Sequence, residues 1–140
     1  MPTRTATAVW KGNLKEGSGT VKTETGALDG SYSFPSRFQE GTGTNPEELL
    51  GAAHAACFSM ALSNMLAEAG HPPDSVSTTA KVHLDMKDGP NIDKIELVTE
   101  GKVPGIDAAT FQEHADKAKE GCPLSKALKA VEITLDAKLI

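Results

Sequence analysis

A chain of 140 residues is long enough for one domain, and folding at this size buries roughly two-thirds of the unfolded surface, so a core forms without disulfide or metal staples. Hydrophobic residues at 39% and charged residues at 24% exclude both a disordered chain and a membrane-embedded one. The 14 basic and 19 acidic residues leave a net charge of −5 spread along the chain, which excludes the concentrated basic face that nucleic acid requires.

From Thr3 to Thr25 the threonines and valines are punctuated by Gly12-Asn13 and Gly17-Ser18-Gly19, the pattern of two hairpin strands. Asp29-Gly30 is a second turn signal, and Ser31 to Phe38 alternates small polar with aromatic residues, which predicts an edge or bent strand because Pro35 lies inside it. Residues 1–40 are therefore expected to be N-terminal strands, followed by the flexible loop Gly41-Thr42-Gly43-Thr44.

Asn45-Pro46-Glu47-Glu48 is a helix start: Asn45 caps, Pro46 takes the first helical position, and Glu48 is placed to close a capping box. This central helix is expected over residues 45–69, stopped by Gly70. Leu50 to Leu62 is apolar almost all round, which calls for cover on both sides and points to a partner chain. The apolar run Leu49 to Leu62 is broken by His54 and Ser59 and falls short of the roughly 18 residues of a membrane span. Met1-Pro2-Thr3-Arg4-Thr5 lacks the apolar run of a secretory signal, so a soluble, cytoplasmic protein with no membrane partner is expected.

Residues 75–104 repeat with period two, Val76 to Met86 and then Ile95, Leu97, Thr99 and Val103, which predicts an antiparallel strand pair. Residues 107–130 read as an amphipathic helix ended by Gly121 and a short helix started by Cys122-Pro123 and running through Ala130; residues 131–140 read as a final strand.

Two cysteines far apart in sequence make no disulfide framework and no CxxC site. Cys57 lies deep in the most apolar stretch, where two roles are open: a buried structural cysteine, or a nucleophile. Burial raises a thiol pKa and the helix dipole does not reach that depth, so a reactive Cys57 needs an imported cation. Cys122 sits at a helix N-cap, where unpaired N–H groups favour a thiolate or simply accept a small capping residue. By these arguments alone Cys122 is the more acidic thiol. Arg37, among aromatic and small residues, is either a solvated strand-edge charge or the missing cation. Glu47 and Glu48 complement the helix dipole, and one of them could hold the Arg37 guanidinium. His54 shares a helical face with Cys57, so a Cys–His pair and a core histidine are both open. The four histidines fall into no ligand spacing, and neither a metal nor another cofactor is expected.

Three stretches taken together are familiar: Arg37-Phe38 before a glycine-rich loop, NPEELLGAAHAACFSMAL from Asn45 to Leu62, and Ala118-Lys119-Glu120-Gly121-Cys122-Pro123-Leu124-Ser125. They resemble the osmotically inducible protein C (OsmC) family, and the likeness runs from the first strands to the last. The central motif is closer to OsmC proper than to the organic hydroperoxide resistance (Ohr) subgroup, whose counterpart usually has Tyr-Ser-Ala-Cys around this cysteine.

The resemblance implies a single OsmC-like domain over residues 1–140, with an α+β fold of antiparallel sheets packed on long buried helices, and an intertwined homodimer. It implies a thiol-dependent peroxidase acting on organic hydroperoxides, with Cys57 attacking peroxide and Cys122 forming a disulfide with it. The family's arginine and glutamate fall on Arg37 and Glu47, and the reductant is expected to be a dithiol such as a lipoylated protein. The rival reading is a redox-sensing or binding module in which the same disulfide only switches shape; a third is a structural stress protein with inert thiols. A regular helix from Pro46 places Glu47 about 15 Å along the axis from Cys57. Either that helix starts later or bends, or Arg37 and Glu47 reach the Cys57 of the other subunit, which is the expectation.

Overall fold

In the computed structural model, which describes residues 1–140, the threonine-rich start forms the expected hairpin, β1 (Ala6–Lys11) antiparallel to β2 (Ser18–Thr23). Asn13 holds its turn, accepting the Glu16 N–H on Oδ1 at 2.8 Å. β2 pairs in turn with β3 (Asp29–Tyr32), also antiparallel. Gly19 is in register with both Trp10 and Tyr32, and a Cβ there would come within 2.5 Å of the Tyr32 ring and 2.7 Å of the Trp10 ring. Its bare backbone lets the two rings approach with centroids 5.3 Å apart.

These strands belong to the first of two units into which the chain divides, Met1–Leu49 and Leu50–Ile140. One expectation for residues 1–40 is corrected. The strand ends at Tyr32, and Phe34–Phe38 is a short helix, α1. Ser33 Oγ accepts the Ser36 N–H at 3.2 Å while Ser36 Oγ accepts the Ser33 N–H at 2.8 Å, a reciprocal capping box. Pro35 in the first turn lacks only an N–H that would have no helical partner. The capping serines override the period-two alternation, and Phe34 meets Phe38 one turn later with ring centroids 5.0 Å apart.

The long helix α2 (Pro46–Glu68) starts as expected, with Asn45 Oδ1 accepting the Glu48 N–H at 2.7 Å. The capping box does not close, because the Glu48 carboxylate accepts the Thr44 hydroxyl at 2.6 Å instead. At 23 residues α2 is long and apolar enough, by length and composition, to cross a membrane, more than the broken apolar run suggests. Its Phe58, Leu62 and Leu66 are nevertheless fully buried in a core with Ile95, Leu97 and Phe111, which is the work of a core helix. The opposite face is uncovered in the single chain: Ala52, Ala53 and Ala56 are exposed, and Met60 is 76% exposed. Burial on every side, as read from composition, is thus met on one side only.

The second unit holds a sheet ordered β4-β5-β6, from β4 (Ser75–Asp85), β5 (Asn91–Lys102) and β6 (Glu132–Leu139). β4 and β5 are antiparallel as expected, but β6 runs parallel to β5, so this sheet is mixed and not purely antiparallel. The cause is the connection: α3 (Ala108–Gly121) and α4 (Pro123–Ala127) form a crossover that returns the chain to the end where β5 began. α4 stops at Ala127, short of the expected Ala130. A Cβ on Gly101 would meet the Phe111 ring at 2.3 Å, so glycine in β5 lets α3 lie close and sets the position of the Cys122 that follows it.

Candidate active site

In the first unit the arginine singled out from the sequence is already partnered. Arg37 Nη2 donates to Glu47 Oε1 at 2.8 Å and Nε reaches both carboxylate oxygens at 3.2 Å, a forked ion pair. Glu47 is buried at 8% exposure, and the guanidinium carbon lies 5.2 Å from the centre of the Phe38 ring. The helix that carries Arg37 is tied down twice: Ser36 Oγ donates to the Thr44 carbonyl at 2.7 Å, and Asn45 Nδ2 donates to the Ser36 carbonyl at 3.0 Å. Asn45 therefore caps α2 with one side-chain atom and fastens α1 with the other. Beside the arginine lies a pocket of about 180 Å³ lined by Trp10, Leu14, Tyr32, Phe34 and Phe38.

In the second unit both thiols are free, with Cys57 half-buried and Cys122 fully buried. The two lie near enough to influence one another's ionisation, although they are far apart in sequence. Burial pushes the Cys57 thiol up, the Leu124 backbone pulls it down, and the neighbouring Cys122 pushes it up again. None of these causes is a cation of this unit. Cys122 closes α3 and caps α4, its sulfur accepting the Ser125 N–H at 3.3 Å with Pro123 at the first helical position, the cap predicted from the Cys-Pro dipeptide.

His54 faces away from the role of direct partner to Cys57. Its Nε2 is 2.8 Å from Ser125 Oγ, and Cys122 Sγ donates to that same oxygen at 3.2 Å. Ser125 was not singled out by sequence reasoning. The signal was its position three residues after a capping cysteine, where a backbone N–H must find the cap. No group of three or more His, Cys, Asp or Glu side chains is placed to hold a metal ion.

An α+β fold that sets a half-buried thiol against a buried, helix-capping one defines a two-cysteine thiol protein. A family model described as OsmC-like protein matches residues 39–136. The chain is 60% identical over 134 residues to Peroxiredoxin OsmC of Escherichia coli, covering 94% of this chain and 93% of that one. It is 35% identical over 124 residues to the organic hydroperoxide resistance protein OhrB of Bacillus subtilis, covering 86% and 90%. The crystal structure of Bacillus subtilis OhrB superposes with a TM-score of 0.72 at 31% identity, covering 96% of this chain and 98% of that one. The chain belongs to the OsmC family, and the two identities place it nearer OsmC than Ohr, as its central motif suggests.

Proposed function

We propose that this protein is a cysteine-dependent peroxidase that reduces organic hydroperoxides to alcohols, a cytoplasmic defence against oxidative and osmotic stress. The observation that carries the reading is the meeting of Cys57 and Cys122 in one unit of the fold. The names of the relatives support the same chemistry: a peroxiredoxin and organic hydroperoxide resistance proteins.

Cys57, as thiolate, attacks the terminal peroxide oxygen; the O–O bond breaks, the alkoxide takes a proton and leaves as alcohol, and Cys57 is left as a sulfenic acid. The Cys122 thiol then attacks that sulfur, forming the disulfide and releasing water before a second peroxide can over-oxidise Cys57. A dithiol such as a lipoylated protein returns both cysteines to thiols by exchange.

Arg37 is the cation we assign to Cys57, with Glu47 holding its fork. A guanidinium there lowers the thiol pKa and stabilises charge on the departing alkoxide. The aromatic pocket on its flank suits an alkyl or aryl hydroperoxide better than hydrogen peroxide. Because helix spacing separates Glu47 from Cys57 by about 15 Å, we assign the Arg37–Glu47 pair to the Cys57 of a second copy. The chain is then one OsmC-like domain, 1–140, working as a homodimer, with the uncovered α2 face around Ala56 and Met60 taking part in its interface.

Steady-state consumption of cumene hydroperoxide with a dithiol present tests the reading. Continuous turnover supports the enzyme. A single oxidation per chain, with no turnover, would mark a redox switch instead.

A further inference from the structure

Cys122 is 0% exposed, so when it attacks oxidised Cys57 its proton has no bulk water to go to. The structure supplies a route. Cys122 Sγ donates to Ser125 Oγ at 3.2 Å, and Ser125 Oγ is 2.8 Å from His54 Nε2. Ser125 is 5% exposed and His54 is 0% exposed. His54 Nδ1 has no hydrogen-bond partner, and a buried polar atom left unpaired asks for a functional reason.

We propose that Ser125 and His54 form a buried proton relay that accepts the thiol proton of Cys122 as its sulfur attacks the sulfenic acid of Cys57. This rests on the reading of Cys122 as the resolving thiol. With Ser125 donating to Nε2, the ring proton of neutral His54 sits on Nδ1, the atom without a partner, and the chain S–H to O–H to N is set in one direction. Burial holds the His54 pKa below the ordinary histidine value, which keeps the imidazole neutral and its lone pair available. In the step, the S–S bond forms as the S–O bond of the sulfenic acid breaks. The Cys122 sulfur is oxidised and the Cys57 sulfur reduced. The oxygen leaves as hydroxide and takes up the proton that the relay releases, so the products are the disulfide and water. Ser125 touches the reacting sulfur and is catalytic for this step; His54 acts through it and is a positioning residue.

The relay separates the two halves of a turnover, which single-turnover kinetics can read independently. Reduced protein is mixed with stoichiometric cumene hydroperoxide; alcohol release reports oxidation of Cys57, and intact mass with dimedone trapping reports closure of the disulfide. Ser125→Ala and His54→Gln are expected to slow closure by about 100-fold, with trapped sulfenic acid accumulating, while alcohol release falls at most a fewfold. Ser125→Thr keeps the hydroxyl and recovers most of the closure rate. Deuterium oxide slows wild-type closure about twofold and has little effect on the two deletion variants.

Closure at the wild-type rate in both deletion variants overturns the relay. So does an equal loss of alcohol release and closure, which would mark damaged packing, or a Ser125→Thr protein as slow as Ser125→Ala. If the wild type forms no Cys57–Cys122 disulfide and Cys122→Ser turns over normally, the resolving role itself is wrong and the relay falls with it.

Discussion

In residues Met1–Leu49 one arginine is paired with a buried carboxylate and held, whereas in Leu50–Ile140 the thiols lie together with no cation among the groups that shift Cys57. The first unit fixes its arginine by a forked carboxylate, a reciprocal serine cap and the Asn45 side chain, so the cation is oriented before any substrate arrives. The second unit does the reverse, burying Cys57 enough to raise its pKa while placing Cys122 at its side. On the proposed reading, nucleophile and activating charge are prepared in separate units, and activity then depends on bringing the two together.

The comparison breaks most severely at the thiols. Cys57→Ser is expected to abolish turnover, and Cys122→Ser to complete a single round with one alcohol per chain, leaving Cys57 as sulfenic acid, and with excess peroxide as higher acids, by intact mass. A dead Cys122→Ser beside an active Cys57→Ser would reverse the roles and restore the ranking that helix-terminus physics alone suggests.

The next largest effect is expected at Arg37. Arg37→Met keeps much of the apolar stem and removes the charge, so peroxide reduction should fall by roughly 100-fold, in the range seen when an oxyanion donor is lost. Without the cation the Cys57 pKa rises, less thiolate is present at neutral pH, and the inflection of the alkylation profile should move to higher pH by at least one unit, about 1.4 kcal/mol. Lys at position 37 restores charge but not the fork and should recover activity only in part. An unmoved alkylation profile in Arg37→Met would leave Cys57 activated by some group other than Arg37.

A third experiment sharpens the contrast by separating the copies. Met60→Asp puts a charge on the exposed α2 face and should give monomers by analytical ultracentrifugation, with the Cys57 alkylation inflection shifted to higher pH as in Arg37→Met. An active monomer with an unshifted profile would rule out a shared site. The smaller effects belong to the supports of the arginine. Glu47→Gln loses the charge-assisted part of the fork, about 1 kcal/mol, and should slow reduction roughly fivefold. Asn45→Ala removes the α2 cap and should lower stability in urea by about 1 kcal/mol, with a minor loss of activity.

Most elements were legible in the sequence because their signals are local. The Asn45-Pro46 start, the period of two in β4 and β5, and the Cys122-Pro123 cap each depend on residues within a turn or two of one another. α1 was misread because Ser33 and Ser36 form a cap only when their side chains reach back to each other's backbone, and the same residues alternate like a strand. The direction of β6 was not legible either, since an alternating pattern reads the same whether its neighbour runs parallel or antiparallel.

By its own residues, then, the sequence determined the family and the boundaries of the central helix, and through the family motif it nominated Cys57, Cys122, Arg37 and Glu47 as candidates, because motif identity and helix capping are short-range properties. Tertiary structure alone decided which thiol is buried, that Glu47 and not Glu48 clasps Arg37, and that His54 turns to Ser125, 71 positions along the chain. Those outcomes depend on where a crossover returns the chain and which donors burial leaves in need of acceptors, and no local pattern of residues encodes that.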